Sequence, residues 1–254
     1  MKKTHLLVVA SLIGLGVVGA AYAESEQKLP HKSTWAFDGI FGTVDKQAAQ
    51  RGFQVYKEVC SVCHSLNRVA FRNLQDIGFS EAEVKALAAS YQINDGPNDN
   101  GEMFQRPGKP SDYFPPPYPN ENAARAVQHG ALPPDFSLII KARHDGPNYV
   151  HSLLTGYGPP PADVQLSEGQ NYNPYFPGGK LLMPPPLNEG QVTYADGTPA
   201  TVDQMASDVV NFLQWAAEPE MEARKQMGIK TLIYLAIFTA FMYVAKRNLW
   251  RKLH

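Results

Sequence analysis

Residues 60–64 read Cys60-Ser61-Val62-Cys63-His64, and this stretch decides what the rest of the chain must build around it. C-x-x-C-H is the attachment sequence of a c-type haem. The spacing has a chemical reason. Two thiols three residues apart on a helical turn can each add to one vinyl group of the porphyrin, giving two thioethers. The histidine that follows then lies beneath the ring and offers an imidazole nitrogen to the iron. A bare C-x-x-C also serves redox dithiols and half zinc sites. A zinc site would need two further ligands, and the chain has no third cysteine and no H-x3-H spacing. A dithiol enzyme would need a βαβ setting, and no strand with clean alternation is visible.

Working outward, the surroundings read as short helices. Asp45 can cap a helix running towards Cys60, with Ala49, Phe53 and Tyr56 on one face. Ser80 and Glu83 form a capping box for a helix through Ile93. Residues Asn120 to His129, stopped by Gly130, make another. Pro147 suits the first turn of a helix reaching Tyr157. Thr201 with Gln204 opens a helix whose Val202, Met205, Val209, Phe212 and Leu213 share a stripe, and Pro219 ends it. Between them lie long loops. The chain has 21 prolines and 20 glycines, and prolines crowd one loop around Pro107 to Pro119 and a second from Pro159 to Pro186. A body built this way is expected to have a thin core that a porphyrin helps to fill.

The far side of the iron sets the job, because a methionine there closes the site and raises the potential. Met183 stands before Pro184, Pro185 and Pro186, which forbid a helix and lock an extended strut. A stiff strut suits a weak thioether ligand. Met103, in a glycine-bounded loop, is the rival. Met205 falls on the amphipathic stripe and reads as core, and Met221 adjoins the C-terminal apolar segment. His129, His144 and His151 are alternative ligands that read more simply as surface or satisfied histidines. Arg143 is a candidate partner for a haem propionate, since guanidinium matches carboxylate in a fork.

Both ends place the body outside the cytoplasm. Residues 1–23 read as a signal peptide, with Lys2 and Lys3, an apolar run from Leu6 to Ala21, and a small-x-small site at Ala21-Tyr22-Ala23. Residues 24–226 would form the exported domain. Residues 227–245 would span a membrane as a helix of roughly 28 Å. Lys246, Arg247, Arg251 and Lys252 in the tail 246–254 mark the cytoplasmic side. The net charge of −1 over 254 residues removes a general case for nucleic-acid binding. The lysines and arginines of the two ends leave the middle acidic, which favours a basic partner.

The chain resembles the cytochrome c1 family, the haem subunits of bacterial cytochrome bc1 complexes (ubiquinol–cytochrome c oxidoreductases). The resemblance rests on Val59 to Ser65, on Gly130-Ala131-Leu132-Pro133-Pro134-Asp135, and on Lys141-Ala142-Arg143-His144. It continues through Tyr149 to Tyr157, Asn173 to Gly179 and Met183 to Leu187, with a C-terminal anchor. It implies an all-α, cytochrome c-type haem domain with long proline-rich loop insertions and one C-terminal transmembrane helix. It implies one haem c, held by Cys60 and Cys63, with His64 and Met183 as axial ligands. It implies Pro134 near the His64 imidazole, Arg143 close to a propionate and Tyr149 in the haem pocket. The implied setting is a bacterial inner membrane, with the haem domain in the periplasm. The implied partners are cytochrome b, a Rieske iron–sulfur protein and a soluble cytochrome c, and the subunit itself turns over no substrate. One departure stands out: some bacterial relatives carry an extra cysteine pair bracing a loop, and this chain has none. Two rival readings remain at this level, an anchored c-type relay outside any quinol complex and a haem sensor or peroxidase-like protein with a displaceable sixth ligand.

Overall fold

A computed structural model describes residues 27–251, so the expected signal peptide and the last residues of the tail lie outside the described part. The framework is a pair of crossing helices, α1 (Lys46–Glu58) and α5 (Val202–Ala217). Asp45 starts α1 by accepting the Ala48 N–H at 3.0 Å, and Thr201 starts α5 by accepting from Gln204 at 3.1 Å. The two helices touch where Gly52 faces the Asp208 backbone. A β-carbon on Gly52 would stand 2.0 Å from the Asp208 carbonyl oxygen, so only glycine permits this crossing. Arg51, one residue earlier, grips the buried Asp208 carboxylate with two parallel bonds of 3.0 and 2.9 Å.

The remaining elements wrap this pair. Residues Phe71–Ile77 form a 3-10 segment, followed by α2 (Glu81–Ala89), whose Ser80–Glu83 capping box is present. α3 spans Glu121–Val127 and α4 spans Gly146–Thr155, with α4 packed on α5. The all-α expectation holds for the framework, but two small antiparallel hairpins are added. β1 (Gln92–Asp95) pairs with β2 (Phe104–Pro107), and β3 (Asn171–Tyr172) with β4 (Lys180–Leu181). The helix expected to run through Ile93 therefore stops at Ala89. Ser90 and Tyr91 turn the chain, and Ile93 pairs opposite Arg106 instead.

The core is fuller than the loops suggest. Phe53, Tyr56, Phe71, Phe114, Phe212 and Trp215 are buried in one continuous cluster, with ring centroids mostly 4–6 Å apart. Each such aromatic contributes roughly 2–3 kcal/mol of transfer free energy. Met205 belongs to this cluster and is fully buried. The last helix, α6, runs unbroken over 30 residues from Met221 to Trp250. It is the one described helix long and apolar enough to cross a membrane, and its apolar stretch is uncovered by the body.

Candidate functional site

Helix α1 ends at Glu58, and a 3-10 turn over Cys60–Val62 follows at once. The Cys63 and His64 N–H groups both donate to the Cys60 carbonyl, at 3.1 and 2.9 Å. That double bond curls the segment so that Cys60, Cys63 and His64 all face one cleft of about 250 Å³. Leu181, Leu182, Met183 and Pro184 line the same cleft. α4 supplies Tyr149, Val150, Leu153 and Leu154, and α5 supplies Val209 and Leu213. Pro134 and Arg143 complete the set, so every site residue that the family resemblance implies lines the same cleft.

The His64 ring is fixed by two contacts and its backbone by a third. Its Nδ1 lies 2.9 Å from the Pro134 carbonyl oxygen, and its face stacks on Phe136 with centroids 3.9 Å apart. The Tyr56 hydroxyl donates to the His64 carbonyl at 3.1 Å. A carbonyl can only accept, so Nδ1 carries the proton and Nε2 keeps its lone pair. Burial pushes the imidazole below its ordinary pKa, against the Pro134 bond and the Asp135 charge, and keeps it neutral. Pro134 is itself held in place. Asp135 Oδ2 accepts from Ser65 Oγ at 2.7 Å and Asn67 N at 2.9 Å, and Phe136 N donates to Ser65 O at 2.8 Å. Burial opposes ionisation of Asp135, but these donors and Ser137 hold its carboxyl below the usual range.

Cys60 lacks the thiolate character of a redox dithiol. Burial and the neighbouring Cys63 push the Cys60 thiol up to about 12, whereas a redox dithiol needs a lowered value. Gln128 Nε2 donates to Cys63 Sγ at 3.3 Å and to Tyr118 Oη at 2.7 Å. Among the described residues, no group of three or more His, Cys, Asp or Glu side chains is placed to hold a metal ion, which leaves the zinc alternative without ligands. A largely apolar cleft lined by two thiols, an imidazole and a thioether carries the donor set a c-type haem uses.

Met183 is half-buried on its strut. The strut is braced by polar contacts as much as by proline. Tyr157 Oη donates to the Met183 carbonyl at 3.2 Å. Fully buried Asn173 donates to Leu153 O at 2.7 Å and accepts from Tyr175 N at 3.1 Å, and the β3–β4 hairpin closes the loop just before the strut. The other candidates lie elsewhere. Met103 is 67% exposed and outside the cleft. His144 is exposed, His129 sits in a left-handed turn after α3, and His151 pairs with Asp203 at 3.1 Å. Arg143 is exposed at the cleft mouth, where its guanidinium faces the Tyr149 hydroxyl; burial nevertheless raises the Tyr149 pKa. Sequence reasoning missed Phe136, Gln128, Tyr157 and Leu181. Phe136 lay one residue beyond a quoted block, and Gln128 carried no signal at all.

Comparison with known proteins gives the family. The Cytochrome C1 family profile matches residues 35–253. The chain is 48% identical to a protein named cytochrome c1 from Rhodospirillum rubrum, over 96% of each. It is 54% identical to the mitochondrial cytochrome c1-2, heme protein, of Solanum tuberosum, over 90% of this chain and 88% of that one. Against cytochrome b/c1 of Bradyrhizobium diazoefficiens it is 48% identical over 98% of its own length, yet it spans only 39% of that longer protein. The chain belongs to the cytochrome c1 family.

Proposed function

We propose that this chain is the membrane-anchored, haem-carrying electron-transfer subunit of a ubiquinol–cytochrome c oxidoreductase. One observation carries the reading: a single apolar cleft gathers Cys60, Cys63 and His64 with Met183, from two parts of the chain far apart in sequence. Haem c bound there supplies a one-electron ferric–ferrous couple. Cys60 and Cys63 hold it through thioethers. His64 offers Nε2 to the iron, aimed by the Pro134 carbonyl and the Phe136 ring. Met183 offers its thioether from the braced strut. Arg143 meets a propionate at the mouth, and Tyr149 closes the pocket beside it. The subunit makes and breaks no substrate bond.

In this reading the electron comes from a Rieske iron–sulfur protein and leaves to a soluble cytochrome c, while α6 packs beside cytochrome b. Residues 1–23 are removed on export, residues 24–226 stand in the periplasm of a bacterial inner membrane, and residues 246–254 face the cytoplasm. The test is purification by a tag on this chain. A quinol-reducible assembly should retain cytochrome b and an iron–sulfur protein, and the polypeptide should keep a haem peroxidase stain on a denaturing gel. A stained chain that purifies alone and is never reduced by quinol would reject the complex while leaving the haem.

A further inference from the structure

We propose that the turn over residues 38–43 is a second contact with the membrane, with Ile40 and Phe41 seated at the headgroup–acyl boundary of the leaflet that α6 enters. The proposal rests on the reading of α6 as a membrane span. Ile40 is 67% and Phe41 84% exposed, adjacent large apolar side chains at the tip of an otherwise ordered turn. The turn is rigid by construction. Asp38 Oδ2 accepts the Trp35 N–H at 2.9 Å, Asp38 N donates to Trp35 O at 3.0 Å, and Thr43 N donates to Ala36 O at 3.0 Å. Gly39 takes a φ of +71°, and a β-carbon on Gly42 would stand 2.1 Å from the Asp38 carbonyl oxygen. Both glycines are needed for the shape that thrusts Ile40 and Phe41 outward.

The turn is also bolted to the start of α6. Lys225 Nζ donates to the Phe37 and Gly42 carbonyls at 2.7 and 2.9 Å, and Glu222 Oε1 accepts the Val44 N–H at 2.9 Å. The apolar stretch begins at Met227, two residues and about 3 Å of helix beyond Lys225. The clasp therefore fixes the turn close to the depth at which α6 becomes apolar. A protein partner is the poorer fit, because two side chains on a narrow tip offer far less than the ~800 Å² per side that a stable interface buries. Amphipathic seating in lipid needs no such area, because each apolar side chain that leaves water for the acyl boundary is stabilised on its own. A turn anchored beside the span would stop the body from tilting on its single helix.

The test uses the full-length haem-loaded chain, whose two native cysteines are spent in thioethers. Nitroxide labels go on Phe41→Cys, on Phe238→Cys within α6, and on Tyr113→Cys, a solvent reference that is 55% exposed. The chain is reconstituted in vesicles of phosphatidylethanolamine and phosphatidylglycerol, alone and in the assembly with which it purifies. Label collisions are read with oxygen, which concentrates in lipid, and with a nickel chelate confined to water. The Phe41 label should prefer oxygen in both preparations, as at Phe238 and the reverse of Tyr113. Nickel preference at Phe41 with oxygen preference at Phe238 overturns the second contact alone. Nickel preference at Phe238 overturns the span and the proposal with it. A Phe41 label immobilised and shielded from both reagents in the assembly would show a protein covering the turn, and that too overturns the lipid contact.

Discussion

Met183 and Tyr157 separate ligand chemistry from ligand placement. A thioether is a weak donor that favours ferrous iron, so a histidine–methionine pair gives a high potential. Met183→Leu should lower the potential, and each ~59 mV lost makes electron entry about tenfold less favourable. Carbon monoxide should bind the reduced form if the site stands open, while Cys60, Cys63 and His64 keep the haem attached. Met103→Leu should alter none of this, since Met103 lies outside the cleft. Redox titration of both variants decides the assignment, and a normal potential in Met183→Leu would move it to another residue. Tyr157→Phe removes only the bond to the Met183 carbonyl, an interaction worth roughly 1 kcal/mol, so it should lower the potential by less than Met183→Leu does. At this scale the sequence was informative where chemistry demands a residue type at a spacing. Cys60, Cys63 and His64 are such a case, and Met183 before three prolines is another. Phe136 and Gln128 were silent because a stacked ring and an amide donor are chosen by shape, and many residues satisfy the local backbone at those positions.

Helix α1 and α5 meet at Gly52, so the crossing is where an element-scale substitution should do most harm. Gly52→Ala places a methyl group inside van der Waals distance of the Asp208 backbone and of the Phe212 β-carbon. The helices must separate, at a cost of roughly 3 kcal/mol, and the melting temperature followed by circular dichroism should fall by about 10 °C. An unchanged melt would mean that the helices are free to slide. The β1–β2 hairpin has a different weakness. Arg106 donates to Asp95 and to both oxygens of Asp112, and these bonds hold the Asp112 carboxyl at about 2. A depressed acid stabilises the fold above its unfolded pKa near 4 and loses that contribution as pH falls through the folded value. Amide protection in residues 92–107, taken relative to the unstructured chain at the same pH, should therefore fall below pH 4, and Arg106→Leu should show the weaker protection already at pH 7. The helices were legible from caps and stripes: Asp45, Ser80 with Glu83, and Thr201 start where the sequence indicates. The hairpins were not, because Gln92 to Asp95 alternates only between exposed and half-buried residues with one apolar side chain, Ile93, and Phe104 to Pro107 does not alternate. Their pairing is set by the turn and by Arg106, neither of which leaves a periodic pattern.

The molecule as a whole is a body standing on a helix that belongs partly to the body. At 1.5 Å per residue, α6 is about 45 Å long against a hydrocarbon core of ~30 Å, so part of it must lie outside the membrane. Its first residues, Met221 to Lys225, belong to that part. Met221 is buried, Glu222 accepts from Val44, and Lys225 ties Phe37 and Gly42. Composition reveals where the apolar run begins, but not that Glu222 and Lys225 pair with backbone groups some 180 residues away in sequence. Two truncations separate these roles. A stop after Gln226 removes the apolar stretch and keeps the clasp; a stop after Met221 removes both. Each product should leave the membrane, keep its haem absorption and appear in the soluble exported fraction, since no residue of the cleft is lost. Their stabilities should differ, because the shorter product loses charge-assisted bonds from Lys225 and Glu222 that together contribute about 2 kcal/mol. Urea unfolding should then show a lower midpoint for the shorter product with the same slope, as expected when stability changes and compactness does not. If the longer product stayed on washed membranes without partner subunits, the Ile40–Phe41 turn would be holding it there. Repeating the wash with Ile40→Ser and Phe41→Ser in that product separates the turn from any remaining contribution of α6.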